Sequence, residues 1–368
     1  MRATRRFVLG GGLTAGALSA LPAAAQSLGR SPGRLQLGLN ENPWGPSPRV
    51  ALAVRGALGQ VNRYVEDEAA AFERQVAAFE GVTPDQVVVG EVLAPLGLHL
   101  ALAAGSASRF VHSTPGYAGF TDPAAAVGGR LDPLPLNARY ENDLPALLAR
   151  AEDATALFVV NPHNPSGTVS DPAAFHDFLR QAARKTLVIV DEAYLEYAGD
   201  YPARTAAPLV AQGLNLVVFR TFAKVYGLAG LQLGYALAPA DLARRLKAKG
   251  VGAPHSLDRL ALAAGGAALA DQDHVRAVVR RTAVERELYQ AWLDGLGWPR
   301  TASKANFVFF RAPRPQAEIA AILRDQGVDI GRAHPPLTDW TRISLGLPEE
   351  NLRVRSTLEQ AVSIHKAR

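Results

Sequence analysis

The sequence predicts an α/β fold, with a large domain on a mostly parallel, doubly wound sheet and a smaller α+β domain after it. Three observations carry this. Between about Gln86 and Ala238, short β-branched apolar runs alternate with longer amphipathic segments. The runs lack polar alternation, as strands covered on both faces do. Polar residues suited to chemistry stand just past three of the runs, where open α/β sheets bind their ligands. With 48% apolar residues, the chain can bury a core of that size.

Residues 1–25 read as an export signal. Arg5-Arg6-Phe7 opens it, an apolar stretch runs from Phe7 to Leu21, and Pro22-Ala23-Ala24-Ala25-Gln26 offers an Ala-x-Ala cleavage site. Gly10, Gly11 and Gly12 and the short length argue against a membrane span. The arginine pair resembles a Tat signal, although Phe7 follows it directly where the usual pattern has one residue between. An ordinary Sec signal or an uncleaved anchor is the alternative. The expectation is a periplasmic protein, free of the membrane after cleavage. Arg2, Arg5 and Arg6, with no acid beside them, account for the fall in formal charge from +5 to +2 when residues 1–25 are removed. Elsewhere the charges alternate in sign, so no nucleic-acid partner is expected. The chain has no cysteine, which excludes disulfides, thiolate metal sites and cysteine nucleophiles. With Met1 the single methionine, the composition suits an oxidising compartment, although GC-rich codon usage explains part of it.

The expected strands are Gln86–Val89, Arg109–His112, Ala156–Val160, Leu187–Val190, Leu216–Phe219 and Leu233–Leu237; Asp171–Ala183, with Pro172 early, reads as a connecting helix. Residues 61–250 form the expected large domain. Residues 251–368 form a long helix and a small unit, with a strand at Asn306–Arg311, a helix at Gln316–Gln326, short strands near Val328–Gly331 and Thr341–Leu345, and a final helix from Glu349.

Three stretches carry chemistry: Asn161-Pro162-His163-Asn164-Pro165-Ser166-Gly167-Thr168, Val190-Asp191-Glu192-Ala193-Tyr194 and Arg220-Thr221-Phe222-Ala223-Lys224-Val225-Tyr226-Gly227. Together they offer what pyridoxal phosphate (PLP) requires. Lys224 is an amine for an imine, Asp191 a carboxylate to keep the pyridine nitrogen protonated, and Asn164 and Tyr194 donors for the ring's 3-oxygen. Each has a plainer reading: a surface lysine, an N-cap aspartate, a turn asparagine. No metal site is expected, since the eight histidines lack ligand spacing, and no nucleophile elbow or dinucleotide fingerprint appears.

From about Leu39 to the C-terminal helix the chain resembles the fold-type I PLP aminotransferases, closest to the histidinol-phosphate aminotransferase branch. The likeness extends to Asn40-Glu41-Asn42-Pro43-Trp44-Gly45-Pro46-Ser47-Pro48 and Arg342-Ile343-Ser344-Leu345-Gly346. It implies a seven-stranded-type sheet, a small domain completed by residues 26–60, and a homodimer with a shared active site acting on an amino acid, or an amino-alcohol phosphate such as histidinol phosphate, and a 2-oxo acid. Lys224 becomes the Schiff-base lysine and Asp191 the pyridinium partner. Tyr117 stacks on the ring or is a core aromatic. Arg342 binds the substrate carboxylate or makes a structural salt bridge, and Arg332 assists it or is a surface residue. Asn40 and Trp44 join the substrate site, and Tyr64 reaches the partner's cofactor phosphate.

The expected phosphate donors are the hydroxyl of Thr221 and the backbone N–H groups of Leu93 and Ala94. Here the chain departs from the family. Ala223 stands where serine is usual, Gln232 where the phosphate arginine is usual, and Gly90-Glu91-Val92-Leu93-Ala94-Pro95 replaces a serine- and acid-bearing turn. Arg220 or Arg63 is the expected substitute cation. The function implied is a PLP-dependent transaminase. The alternatives are a PLP-dependent decarboxylase or lyase, or a non-catalytic binding protein on the same scaffold.

Overall fold

The computed structural model describes residues 33–366, so the expected signal at 1–25 lies outside the described residues. The strands are β1 (Leu35–Leu37), β2 (Val87–Val89), β3 (Arg109–Thr114), β4 (Arg130–Pro135), β5 (Ala156–Val160), β6 (Leu187–Asp191), β7 (Leu216–Thr221), β8 (Gly234–Leu237), β9 (Phe307–Phe310), β10 (Val328–Ile330) and β11 (Thr341–Ser344). Seven form the main sheet in the order β2-β8-β7-β6-β5-β3-β4. Only β8 runs against its neighbours in this sheet.

Alternate residues along the central strands enter different cores. Leu157, Val159, Val188, Val190 and Val218 join one apolar cluster, while Phe158, Ile189, Val217 and Phe219 join the other. Both faces are covered, which is why these runs carry no polar alternation. β4 was not among the expected strands. Its sequence, Arg130-Leu131-Asp132-Pro133-Leu134-Pro135, breaks the apolar pattern, and it survives as a strand because it lies at the sheet edge, paired only with β3. The expected connecting helix is Pro172–Ala182, with Asp171 accepting a bond from the Ala174 N–H at its start.

The C-terminal elements build a third cluster, the core of the small domain, including Val308, Phe310, Ile319, Leu323 and Ile343, with Leu37 contributed from β1. β1 pairs in parallel with β10, and β9 pairs antiparallel with β11. Helix α1 (Pro48–Ala57) packs on the helix Arg259–Ala270, and Val50, Ala261 and Leu262 belong to the large core. The 24-residue helix Gln272–Gly295 then spans both cores, with Val275 and Val278 in the large one and Tyr289 and Leu293 in the small one. Among the described residues, no helix is long and apolar enough to cross a membrane.

Candidate active site

The three sequence stretches converge where β5, β6 and β7 end. Asp191 is the last residue of β6 and is fully enclosed. Its carboxyl accepts a bond from the Ala193 N–H at 3.0 Å. Burial pushes its pKa up to about 7, with Glu91 adding repulsion and Lys224 and the Ala193 bond opposing. Lys224 lies in the turn after β7; its Nζ donates to the Leu39 carbonyl at 3.0 Å and stands 5.8 Å from the centre of the Tyr194 ring. The Thr221 hydroxyl accepts from the Ala223 N–H at 3.1 Å, closing that turn.

The loop after β5 holds Asn164 beside Tyr194, its Nδ2 donating to the phenol oxygen at 3.4 Å. Asn164 Oδ1 accepts from Arg342 at 2.5 Å, and a second Arg342 nitrogen donates to the Gly38 carbonyl at 2.7 Å. Arg342 is buried, its Nε has no partner, and among the described ion pairs none involves it. Burial lowers its pKa, with Tyr194 opposing. The structural salt bridge that would have explained this arginine is therefore missing, and its guanidinium remains available to an anion. Burial holds His163, next to Asn164, and His334, which faces the Arg342 charge, at about 3 and hence neutral.

A cavity of about 440 Å³ opens beside these groups, lined by Glu91, Leu93, Ala94, Tyr117, Asp122 and Arg332 among others. Leu93 and Ala94 begin the helix Leu93–Ala104, which has no side-chain cap. Tyr117 is half-exposed, and burial together with Asp191, Tyr194 and Glu91 pushes its hydroxyl up to about 12.

Several expected site residues do not line this cavity. Arg220 does not reach toward a phosphate: it is enclosed, donating to Glu196 at 2.6 Å and to the Tyr201 hydroxyl at 2.5 Å, with Glu80 and Glu192 each 3.5 Å away. Three carboxylates fix its guanidinium inside the large domain. Asn40 is buried, with Nδ2 donating to Tyr194 at 3.1 Å and Oδ1 accepting from Ser344 at 2.9 Å. It thereby pins Tyr194, just past β6, to Ser344 on β11. The Trp44 ring packs against the large core with the Arg281 guanidinium 5.2 Å from its centre, not on the cavity wall. Tyr64 is 83% exposed, and Arg63 lines a separate cavity with it. Gln232 is exposed, in the left-handed turn before β8.

Sequence reasoning passed over Glu91 and Asp122. Glu91 lies directly past the end of β2, the same positional signal that marked Asp191, and could have been found by it. Asp122 sits in Thr121–Ala126, where only the fold brings it to the cleft. Among the described residues, no group of three or more metal-ligating side chains occurs.

Residues 32–355 match the family model for aminotransferase class I and II. The histidinol-phosphate aminotransferase of Symbiobacterium thermophilum is 38% identical over 339 residues, covering 89% of this chain and 90% of that protein. The same-named protein of Limosilactobacillus fermentum is 35% identical over 328 residues, covering 88% and 89%. The crystal structure of histidinol-phosphate aminotransferase from Sinorhizobium meliloti in complex with pyridoxal-5′-phosphate aligns with a TM-score of 0.79 and 29% identity, over 94% of this chain and 95% of that one. With the family profile covering most of its length and relatives this similar, the chain belongs to the aminotransferase class I and II family.

Proposed function

We propose that this protein is a PLP-dependent transaminase that moves an amino group between an amino acid and a 2-oxo acid, with Lys224, Asp191 and Arg342 as its working groups. The observation that carries the reading is a pair of incompletely matched buried charges. Asp191 is enclosed with a single N–H on its carboxyl, and Arg342 is buried without a carboxylate. One suits a cationic ring nitrogen and the other a substrate carboxylate or phosphate, with Lys224 and Tyr117 between. The ring end of PLP therefore fits. The phosphate end is thinner: the residues suited to it are Thr221 and the uncapped first turn at Leu93 and Ala94.

Bound there, PLP supplies an electron sink for the pair left when a proton leaves the substrate α-carbon. The Asp191 carboxylate would accept a bond from a protonated ring nitrogen and keep that proton in place. Asn164 and Tyr194 sit within hydrogen-bonding distance of one another and are suited to the 3-oxygen. The Lys224 amine would anchor the cofactor and, when free, would be the base that carries the proton leaving the substrate α-carbon. Arg342 holds the substrate's acidic group and so aligns the α-carbon with Nζ.

Leu52, Leu58, Val61 and Tyr64 are exposed on and after α1, which supports a homodimer in which Tyr64 serves the partner's cofactor phosphate. The twin arginine and Ala-x-Ala site support export, by the Tat route, to the periplasm. An exported enzyme would take an amino donor other than a histidine-pathway intermediate. The test is PLP titration of the purified protein by visible absorption, then borohydride reduction and peptide mapping. Label on Lys224, with a 2-oxo acid as product, is expected. Label on Lys185 or Lys304, or release of an amine or ammonia, would overturn the assignment.

A further inference from the structure

We propose that Glu91 is an electrostatic competitor of the cofactor phosphate, placed in the phosphate end of the cleft, so that this chain holds PLP more weakly and more exchangeably than its ring contacts alone would allow. The inference rests on the PLP reading above and deepens it. Glu91 stands between β2 and the first turn at Leu93 and Ala94, and lines one cavity with those two residues and Tyr117. An uncapped helix start attracts an anion, and the chain itself offers a carboxylate there.

The groups facing Glu91 come from every neighbouring element. Lys224 follows β7 and attracts it, Asp191 ends β6 and repels it, and Tyr117 follows β3. Asp122, in the helix Thr121–Ala126, adds a second acid to the cavity wall, and Arg332, after β10, is the cation that shares it. The walls of the cleft raise the Glu91 pKa, with Lys224 opposing. A phosphate dianion seated at the helix start would meet Glu91, with Arg332 as the arginine on the same cavity wall to offset it in part. Arg220 is enclosed by Glu80, Glu192 and Glu196, and position 232 carries an exposed glutamine. On this proposal Glu91 opposes the phosphate unless it takes up a proton or turns toward solvent.

Equilibrium dialysis of PLP and of pyridoxal, which lacks the phosphate, tests this with wild type, Glu91→Gln and Glu91→Asp. Glu91 is exposed to solvent at the cleft, so neither substitution disturbs a packed core. Glu91→Gln should tighten PLP by about tenfold, the effect of removing one partly screened like-charge pair. Pyridoxal affinity should stay unchanged, and Glu91→Asp should remain within about twofold of wild type for PLP. The inference is overturned if Glu91→Gln fails to tighten PLP, or if Glu91→Asp tightens it as much. It is also overturned if pyridoxal tightens by the same factor, because the carboxylate would then act through Lys224 alone. If neither wild type nor Glu91→Gln binds PLP at all, the cofactor reading itself fails and the inference goes with it.

Discussion

At the scale of single residues, the site separates groups the protein satisfies from groups it leaves for a ligand. Arg220 and Arg342 are both buried arginines, yet Arg220 has three carboxylates within 3.5 Å and Arg342 has carbonyl acceptors only. Removing each should give opposite signatures. Arg220→Ala strands buried carboxylates and should cost about 3–5 kcal/mol of stability, seen as a lower melting temperature, with PLP affinity of the folded fraction little changed. Arg342→Lys should leave melting nearly unaltered but lower kcat/KM for the amino donor by about 10- to 100-fold, mostly through KM, since lysine cannot form the two-pronged contact. Lys224→Ala should abolish transamination in a protein that melts like wild type. Residual turnover above about a thousandth would remove Lys224 from the anchoring role.

At the scale of elements, the loop after β5 is held from the far domain. The Thr301 hydroxyl donates to the Ser166 carbonyl at 2.6 Å, and the Lys304 N–H donates to the Gly167 carbonyl at 2.7 Å. Gly167 sits at φ +71, and a Cβ there would lie 2.0 Å from Ser303 Oγ. Gly167→Ala therefore faces both a left-handed backbone and a clash, and should lower stability by about 1–3 kcal/mol. Because Asn164 is three residues away, PLP affinity should fall as well. Unchanged melting and affinity would show the clamp to be unimportant. The N-terminal segment is pinned similarly: Asn42 donates to the Val225 carbonyl at 2.9 Å, and Gly227 packs on the backbone of Gly45. The turn bearing Lys224 is thus shaped by residues almost two hundred positions earlier.

At the scale of the whole molecule, burying acids in the large core makes stability depend on pH. Burial holds Asp191 and Glu192 at about 7, above the ordinary carboxylate range. Between those limits the folded chain binds more protons than the unfolded one. This contribution is complete below about pH 4 and is lost as pH rises through about 7. His163 and His334, held at about 3, act in the other direction below their ordinary range. The informative quantity is therefore a difference. In cofactor-free protein, Asp191→Asn cannot ionise, so its melting temperature relative to wild type should rise from pH 5 to pH 8. A flat difference would place the Asp191 titration outside that window. With PLP present the order should reverse at pH 8, because the ring cation favours the aspartate.

The sequence alone determined the two-faced sheet, because β-branched runs without polar alternation can be buried only between two layers. It also placed Asp191, Thr221 and Lys224 at the carboxyl edge of the sheet, because polar residues directly after such runs lie there. Edge strand β4 was illegible: its prolines and charges obey solvent-side rules that local pattern does not distinguish from a loop. What only the tertiary structure decided was which charges are already matched. Arg220 stands four residues before Lys224 in the chain, yet its guanidinium meets Glu80 from the end of a distant helix, while Glu91, from another strand end, faces the cleft. Side-chain direction and partner choice depend on contacts between segments far apart in sequence, and for ionic groups those contacts decide whether a charge serves the fold or the ligand.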